Sequence, residues 1–267
     1  MNAKLLLFIP VYNCEKQIIR VLAKMDESFM KYISHTILVN NCSLDETERV
    51  VLNWLKSHDF SNVTVLRNDQ NIGYGGNHKV GFQYAINHSF DYIIVLHGDD
   101  QADPHDLIPI LESKKYLKYD CCLGARFMPD SRLIGYSGFR TFGNKVFNLL
   151  FSLVLGSRIY DCGCGLKIYS TEMIRNRYYS TFPDELWFEY AMTMALFYYH
   201  HKFCFFPVSW REEDQVSNVK LIRQTLIVLK MLFSYMINPR RYMQTDYRTR
   251  IDNVYLSNVV YEDSSDE

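Results

Sequence analysis

The sequence has no long apolar run. A helix that spans a bilayer needs ~20 consecutive apolar residues. The early run, Leu5–Pro10, covers six, and the late one, Thr225–Ile237, is interrupted by Lys230. The early run is also too short for the apolar core of a secretion signal and leads to no small-residue cleavage site, so a soluble or surface-bound chain is expected. Neither charge is in excess: 29 Lys and Arg stand against 30 Asp and Glu, a net charge of −1. That balance excludes a generic polyanion binder, and with no nucleic-acid motif present no nucleic acid is expected as partner. Proline (7) and glycine (12) are scarce beside 48% hydrophobic residues, which excludes collagenous, low-complexity and disordered chains. No disulfide framework is visible. The seven cysteines are an odd number with one adjacent pair, Cys121 and Cys122, and one C-x-C, Cys162 and Cys164, a pattern that points to a reduced, intracellular chain. There is no internal repeat.

What is present is order along the chain. Lys4–Ile9, Thr36–Val39, Val63–Leu66 and Tyr92–Leu96 are apolar runs with strand character. Between them lie helical patterns: one to about Tyr32, Asp45–Lys56 with Ser43 as N-cap, and Gly75–His88. Unbroken apolar strands alternating with helices imply a parallel sheet covered on both faces, with ligands at the carboxyl ends of the strands. The second half is less regular: Pro129–Asn144 reads as a loop, Val146–Leu155 as a helix, Leu166–Tyr169 as a strand, Asp184–Tyr199 as a helix, Phe203–Val208 as a strand and Val219–Ile237 as a helix. The last six residues hold four acids and read as a disordered tail.

Four strand-end segments carry chemistry. VLHGDDQADP, from Val95, releases His97, Asp99, Asp100, Gln101 and Asp103 at a strand tip, where carboxylate oxygens suit Mg²⁺ or Mn²⁺ shared with substrate phosphates. Asp103 before Pro104 fits a helix cap better, and His97 is either a core histidine or a ligand to Mn²⁺. NIGYGGNHKVG places Gly73, Gly75 and Gly76 before a helix, where backbone can approach a phosphate. The dinucleotide fingerprint is broken by His78 at its third glycine position, and no Walker lysine follows. DCGCGLKIY, from Asp161, lacks zinc or redox spacing and offers an acid before a Gly-rich turn with Lys167 after it. WREEDQVSNVK, from Trp210, joins Arg211, three acids and a helix capped by Ser217; a solvated loop fits it equally well.

In order, FIPVYNCE, ILVNNCSLDET, NIGYGGNHKVG, VLHGDDQADP, GARF, DCGCGLKIY and WREEDQVSNVK resemble the inverting nucleotide-sugar glycosyltransferases of family two. Within that family the likeness is to dolichyl-phosphate mannose synthases and bacterial polyprenyl-phosphate glycosyltransferases. The resemblance implies an α/β fold: one GT-A (Rossmann-like) domain with a mostly parallel central sheet between helices. It implies that Pro10, Tyr12, Asn13 and Glu15 cradle the nucleotide. Asn40 and Asn41 stand where an acid is usual, so an amide oxygen replaces the carboxylate that accepts from the base. Gly73, Gly75 and Asn77 match the loop near the sugar diphosphate. Asp99 matches the second acid of the D-x-D, with His97 in place of the first. Gln101 and Pro104 follow in pattern, Arg126, Asp161 and Lys167 fall on the acceptor side, and Arg211 and Ser217 in the diphosphate-closing loop.

The implied domains are 1–218 for the transferase, with a nucleotide-sugar half of about 1–104 and an acceptor half of about 105–218, then a basic amphipathic segment at 219–250 and an acidic, disordered tail at 251–267. Mg²⁺ or Mn²⁺ on Asp99, with or without His97, is the implied cofactor. The acceptor is polyprenyl phosphate or a lipid-linked glycan; a lipid phosphate needs no strong base, whereas a saccharide hydroxyl requires one, and Asp161, Asp184 and Glu185 are the candidates. Helix 219–237 and the basic residues after it fit an anchor on the inner face of a cell membrane, or a core-packed closing helix. A silent nucleotide-binding scaffold is the reading that Asn40 and His97 leave open; a nucleotidyltransferase is disfavoured because the loop after the first strand lacks glycine and a cation.

Overall fold

The structure, a computed structural model, describes residues 3–214, 221–249 and 255–263, with only the backbone at 221–223. The four apolar runs form β1 (Leu5–Val11), β2 (His35–Asn40), β3 (Val63–Asn68) and β4 (Tyr92–Leu96). They pair in parallel in the order β3-β2-β1-β4. Between them run α1 (Ile18–Ala23), α2 (Glu27–Met30), α3 (Thr47–Ser57) and α4 (Gly73–Asn87). The helix expected through Tyr32 is broken because the Asp26 carboxylate accepts from the Phe29 amide and starts a new helix. Likewise α3 starts at Thr47, whose amide and hydroxyl donate to Asp45, while the Ser43 hydroxyl accepts from the Asn13 amide instead of capping α3.

The second half adds α5 (Ile108–Glu112), β5 (Cys121–Ala125), β6 (Arg132–Ile134), α6 (Gly138–Leu155), β7 (Leu166–Ser170), α7 (Thr171–Ile174), α8 (Phe188–Tyr198), β8 (Phe203–Pro207), β9 (Ser209–Arg211), α9 (Leu221–Ile237), α10 (Pro239–Gln244) and β10 (Ser257–Glu262). β7 enters antiparallel between β4 and β5, β8 pairs in parallel with β5, and the eight-stranded sheet runs β10-β3-β2-β1-β4-β7-β5-β8. Buried side chains fill both faces: Phe8, Phe82, Tyr169 and Phe188 on one, Leu7, Ile9, Ile94 and Leu166 on the other. This is the mixed α/β, mostly parallel architecture the sequence implies.

Three further expectations are corrected. Pro129–Asn144 is no loop: it contains β6 and the first two turns of α6. Glycines 138 and 143 argue locally against a helix, but burial of Asn148 and Phe151 and a left-handed C-cap at Gly156 sustain one. Helix α8 begins at Phe188 rather than Asp184, because Asp184 is held outside it. The segment expected as a tail carries β10, which pairs antiparallel with β3 and covers that edge of the sheet; the run Val259–Tyr261 is a strand pattern that the flanking acids mask. Residues 215–220, with Ser217, Lys220 and the boundary at 218, and residues 264–267 lie outside the described residues, so the fold carries no statement on those expectations. Among the described residues, no helix is long and apolar enough to cross a membrane.

Candidate active site

The carboxyl ends of β1, β2 and β4 converge on a cleft of about 1040 Å³, whose opposite wall comes from α6 and α9. The strand-end loops are tied to one another. The Gly98 amide donates to the Pro10 carbonyl (3.1 Å), the Asn41 amide to the Val11 carbonyl (2.9 Å) and the Leu44 amide to Asn13 Oδ1 (2.8 Å). Pro10, Tyr12, Asn13, Asn41, Gly73, Asn77, His97, Asp99, Gln101 and Arg126 all line the cleft. Asn41 Oδ1 accepts from the Ile72 amide and from Asn68 Nδ2, which also donates to Asn77 Oδ1. These buried amides fix the loop that carries Gly73, a position at φ +79 where a Cβ would lie 2.3 Å from the Asp184 carbonyl oxygen.

Four residues expected at the nucleotide sugar lie elsewhere. Asn40 alternates with Asn41 across the strand end. Its Oδ1 accepts from the Ser43 amide and hydroxyl, its Nδ2 donates to Glu48 (2.9 Å), and it faces a separate, smaller hollow with Glu48 and Arg67. Glu15 stays outside the cleft, accepting from the Glu46 amide (3.0 Å). Gly75 packs α4 against residues 183–188: its amide donates to the Asp184 carbonyl (2.7 Å), and a Cβ there would lie 2.3 Å from the Pro183 carbonyl oxygen. Arg211 is bound to Asp100 (3.1 Å) and Glu213, outside the cleft. Asp100, fully buried at φ +59, also holds Arg20 (2.6 Å) and Lys24 (2.7 Å), so three cations pin the loop that presents Asp99.

None of the candidate bases lines the cleft, and two of them, Asp161 and Asp184, are held by other side chains. Asp161 receives Arg126 through Nε (2.6 Å) and Nη2 (2.8 Å), and the amides of Arg126 and Gly163. Burial pushes the Asp161 carboxyl up, but the charge and hydrogen bonds of Arg126 hold it below its ordinary value, the reverse of what a base needs. Asp184 Oδ1 accepts from Lys79 Nζ (2.8 Å) and the Tyr255 hydroxyl (2.7 Å), a buried brace between α4 and the start of β10. Glu185 precedes α8 and stays out of the cleft.

The acid that does line the cleft, apart from Asp99 and Glu212, is Glu189 on α8. It accepts from the Tyr74 hydroxyl (2.7 Å) and pairs with Lys167, and its Oε1 is 3.5 Å from His78 Nε2. The Tyr74 hydroxyl also lies 3.0 Å from His97 Nε2. Burial holds His97 well below its ordinary range and His78 at about 3, so both rings are neutral. A lone acid within the apolar sequence WFEYAM is the signal that marks Glu189, since a buried carboxylate requires partners.

His78, His97 and Glu189 present ligand atoms within 4.8 Å of one another. The Lys167 ammonium already pairs with Glu189, however, and a cation there would compete with it. Asp99 suits a divalent ion better. Burial raises its carboxyl to about 6, with the charge of Asp100 adding to the rise, and a cation shared with substrate phosphates needs only one or two protein carboxylates. Arg126 stands between the two walls, its guanidinium 4.9 Å from the Trp210 ring and its Nη1 donating to the Tyr136 hydroxyl (3.2 Å).

Known proteins resemble this chain in sequence and in fold. The polyprenol monophosphomannose synthase of Mycolicibacterium smegmatis is 21% identical over 63% of this chain and 62% of its own length. The dolichyl-phosphate beta-glucosyltransferase of Dictyostelium discoideum is 24% identical over 80% of this chain and 68% of its own. Among solved structures, glucosyl-3-phosphoglycerate synthase from Mycobacterium tuberculosis, in complex with Mn²⁺, uridine diphosphate and phosphoglyceric acid, superposes with a TM-score of 0.58 at 11% identity, over 91% of this chain and 79% of that one; at that identity the fold is what the two share. The model of glycosyl transferase family 2 matches residues 7–177, which is more than half of the 267 residues and includes the loops after β1, β2 and β4 that line the cleft, so the chain belongs to glycosyl transferase family 2.

Proposed function

We propose that this glycosyltransferase moves a sugar, with inversion, from a nucleoside-diphosphate sugar to a lipid-linked phosphate acceptor. The observation that carries the reading is the two-sided cleft. One wall is polar strand-end backbone with Asp99; the other is aromatic and apolar, with Phe139, Phe147, Tyr190 and Leu226, and Arg126 stands between. The relatives named above are called polyprenol-phosphate and dolichyl-phosphate enzymes, which supports a lipid phosphate. Pro10, Tyr12 and Asn13 would hold the nucleoside, Asn41, Gly73, Asn77 and Gln101 the sugar diphosphate. Asp99 would hold Mg²⁺ or Mn²⁺, which when bound offsets the charge that develops on the departing diphosphate. Arg126, with its guanidinium oriented by Asp161, would receive the acceptor's phosphate. That phosphate is already an anion and attacks without a base, in line with the leaving group. Thermal shift with UDP, GDP, CDP and dTDP, with and without Mn²⁺, tests the donor half. A rise with one nucleotide only when Mn²⁺ is present identifies the base, and loss of that rise together with turnover in Asp99→Asn fixes the ligand. No shift with any nucleotide overturns the reading.

One observation favours a second acceptor. Glu189 offers the cleft a carboxylate that could take a proton from a saccharide hydroxyl. Glu189→Gln, made together with Lys167→Met so that no buried ammonium is left without its counter-charge, separates the two: it abolishes transfer to a hydroxyl and leaves transfer to a phosphate within about tenfold.

A further inference from the structure

Among the described residues, the largest run of exposed apolar side chains belongs to α6 and α9. On α6 they are Phe139, Phe142, Val146, Leu149 and Leu153; on α9, Leu226, Leu229, Phe233, Met236 and Ile237. The α6 set recurs at steps of three or four, as does the α9 set from Leu226 to Met236 with Ile237 beside it, so each forms one stripe. The exposure is large, 75% for Phe139, 71% for Leu153 and 66% for Ile237. The opposite faces carry Asn148 and Phe151 on α6 and Val228, Met231, Leu232 and Tyr235 on α9, all buried, so the stripes are surplus to the core. The two helices touch. Their outer faces therefore form an apolar area of the kind that monomeric proteins keep for an interaction.

Charge says what covers it. Neither α6, α9 nor α10 contains an acid. Lys145, Lys230, Arg240 and Arg241 are exposed on them, in a chain whose net charge is −1. A second copy of the chain docked here would bring these like charges together, whereas an anionic bilayer would complement them. The cleft opens at the same place: Phe139 and Leu226 both line it and stand exposed.

We infer that the acid-free apolar face of α6 and α9 seats on an anionic lipid bilayer, so that the cleft draws its acceptor from the membrane while the acceptor's hydrocarbon tail stays in it. This rests on the lipid-linked acceptor proposed above.

Co-sedimentation with vesicles tests it, comparing phosphatidylcholine alone with an equal mixture of phosphatidylcholine and phosphatidylglycerol. The full chain is expected to pellet with the mixture and to stay in the supernatant with phosphatidylcholine. Phe142→Ser combined with Leu149→Ser and Phe233→Ser, exposed positions outside the cleft, should lower the bound fraction at least tenfold; Lys145→Glu with Lys230→Glu should release the protein from the mixture. Light scattering and transfer to the water-soluble geranyl phosphate, from UDP-glucose and GDP-mannose, accompany each variant. Wild type that ignores both vesicles overturns the inference, as does a dimer that the triple variant makes monomeric; if transfer to geranyl phosphate persists in either case, the proposed function stands. Vesicle binding without transfer leaves the membrane face standing and removes the lipid phosphate.

Discussion

A carboxylate buried at a strand tip is expensive to ionise, and burial pushes the Asp99 carboxyl up to about 6. The direction of the consequence is fixed. Raised above its ordinary value of 3.8, Asp99 contributes stability below that value and loses it as pH rises through about 6. A divalent cation takes only the ionised form, so the apparent affinity for Mn²⁺ with the bound nucleotide should fall about tenfold per pH unit below about 6 and be flat above it. Calorimetric titration across that range reads the slope, and a flat profile removes Asp99 from the cation. Arg126 and Asp161 behave differently. Asp161→Asn would leave a guanidinium that is only 7% exposed without its counter-charge, at a loss of about 3–5 kcal/mol. Denaturant unfolding should show this, and Arg126→Met added to Asp161→Asn should recover part of it. A double variant no more stable than the single one would mean that the ion pair is not what Asp161 supplies.

Glycine has opposite meanings in two helices. In α4 the Cβ of Gly75→Ala would meet the Pro183 carbonyl oxygen and Phe188 at under 3 Å, and the melting temperature should drop by the equivalent of about 1–3 kcal/mol. In α6 nothing lies within 4 Å of a Cβ at Gly143, so Gly143→Ala should raise stability by about 0.5–1 kcal/mol. The same contrast explains what the sequence discloses. The first four strands and their loops are legible because parallel strands are continuously apolar and their ends are abruptly polar. Only the part of α6 from Val146 onward is, since Gly138 and Gly143 disguise its first two turns as loop. Strand phase, which separates Asn40 from Asn41, is invisible in a motif that treats the two as a pair. Glu189 escapes for another reason: Tyr74 and Lys167, which make its burial tolerable, come from α4 and β7, and no local pattern joins three elements.

At the scale of the whole molecule, the sheet is completed from its far end. β10 hydrogen-bonds along β3, Tyr255 joins Lys79 and Asp184 nearby, and Asn258 bonds Asp69 across a separation of 189 residues. Removing residues 255–267 should therefore expose the β3 edge and produce concentration-dependent association in light scattering; a truncated chain that stays monomeric would show that the edge needs no cover. The pairing also has a consequence in time. A ribosome adding ~5–20 residues per second takes about 10–40 s to travel from β3 to its partner. Throughout that interval the newborn sheet, its parallel centre already able to form, shows an open strand to its neighbours on the polysome. The yield of this protein in a cell is thus tied to translation speed and to the holding chaperones at hand, a vulnerability that ends for β3 when β10 pairs with it.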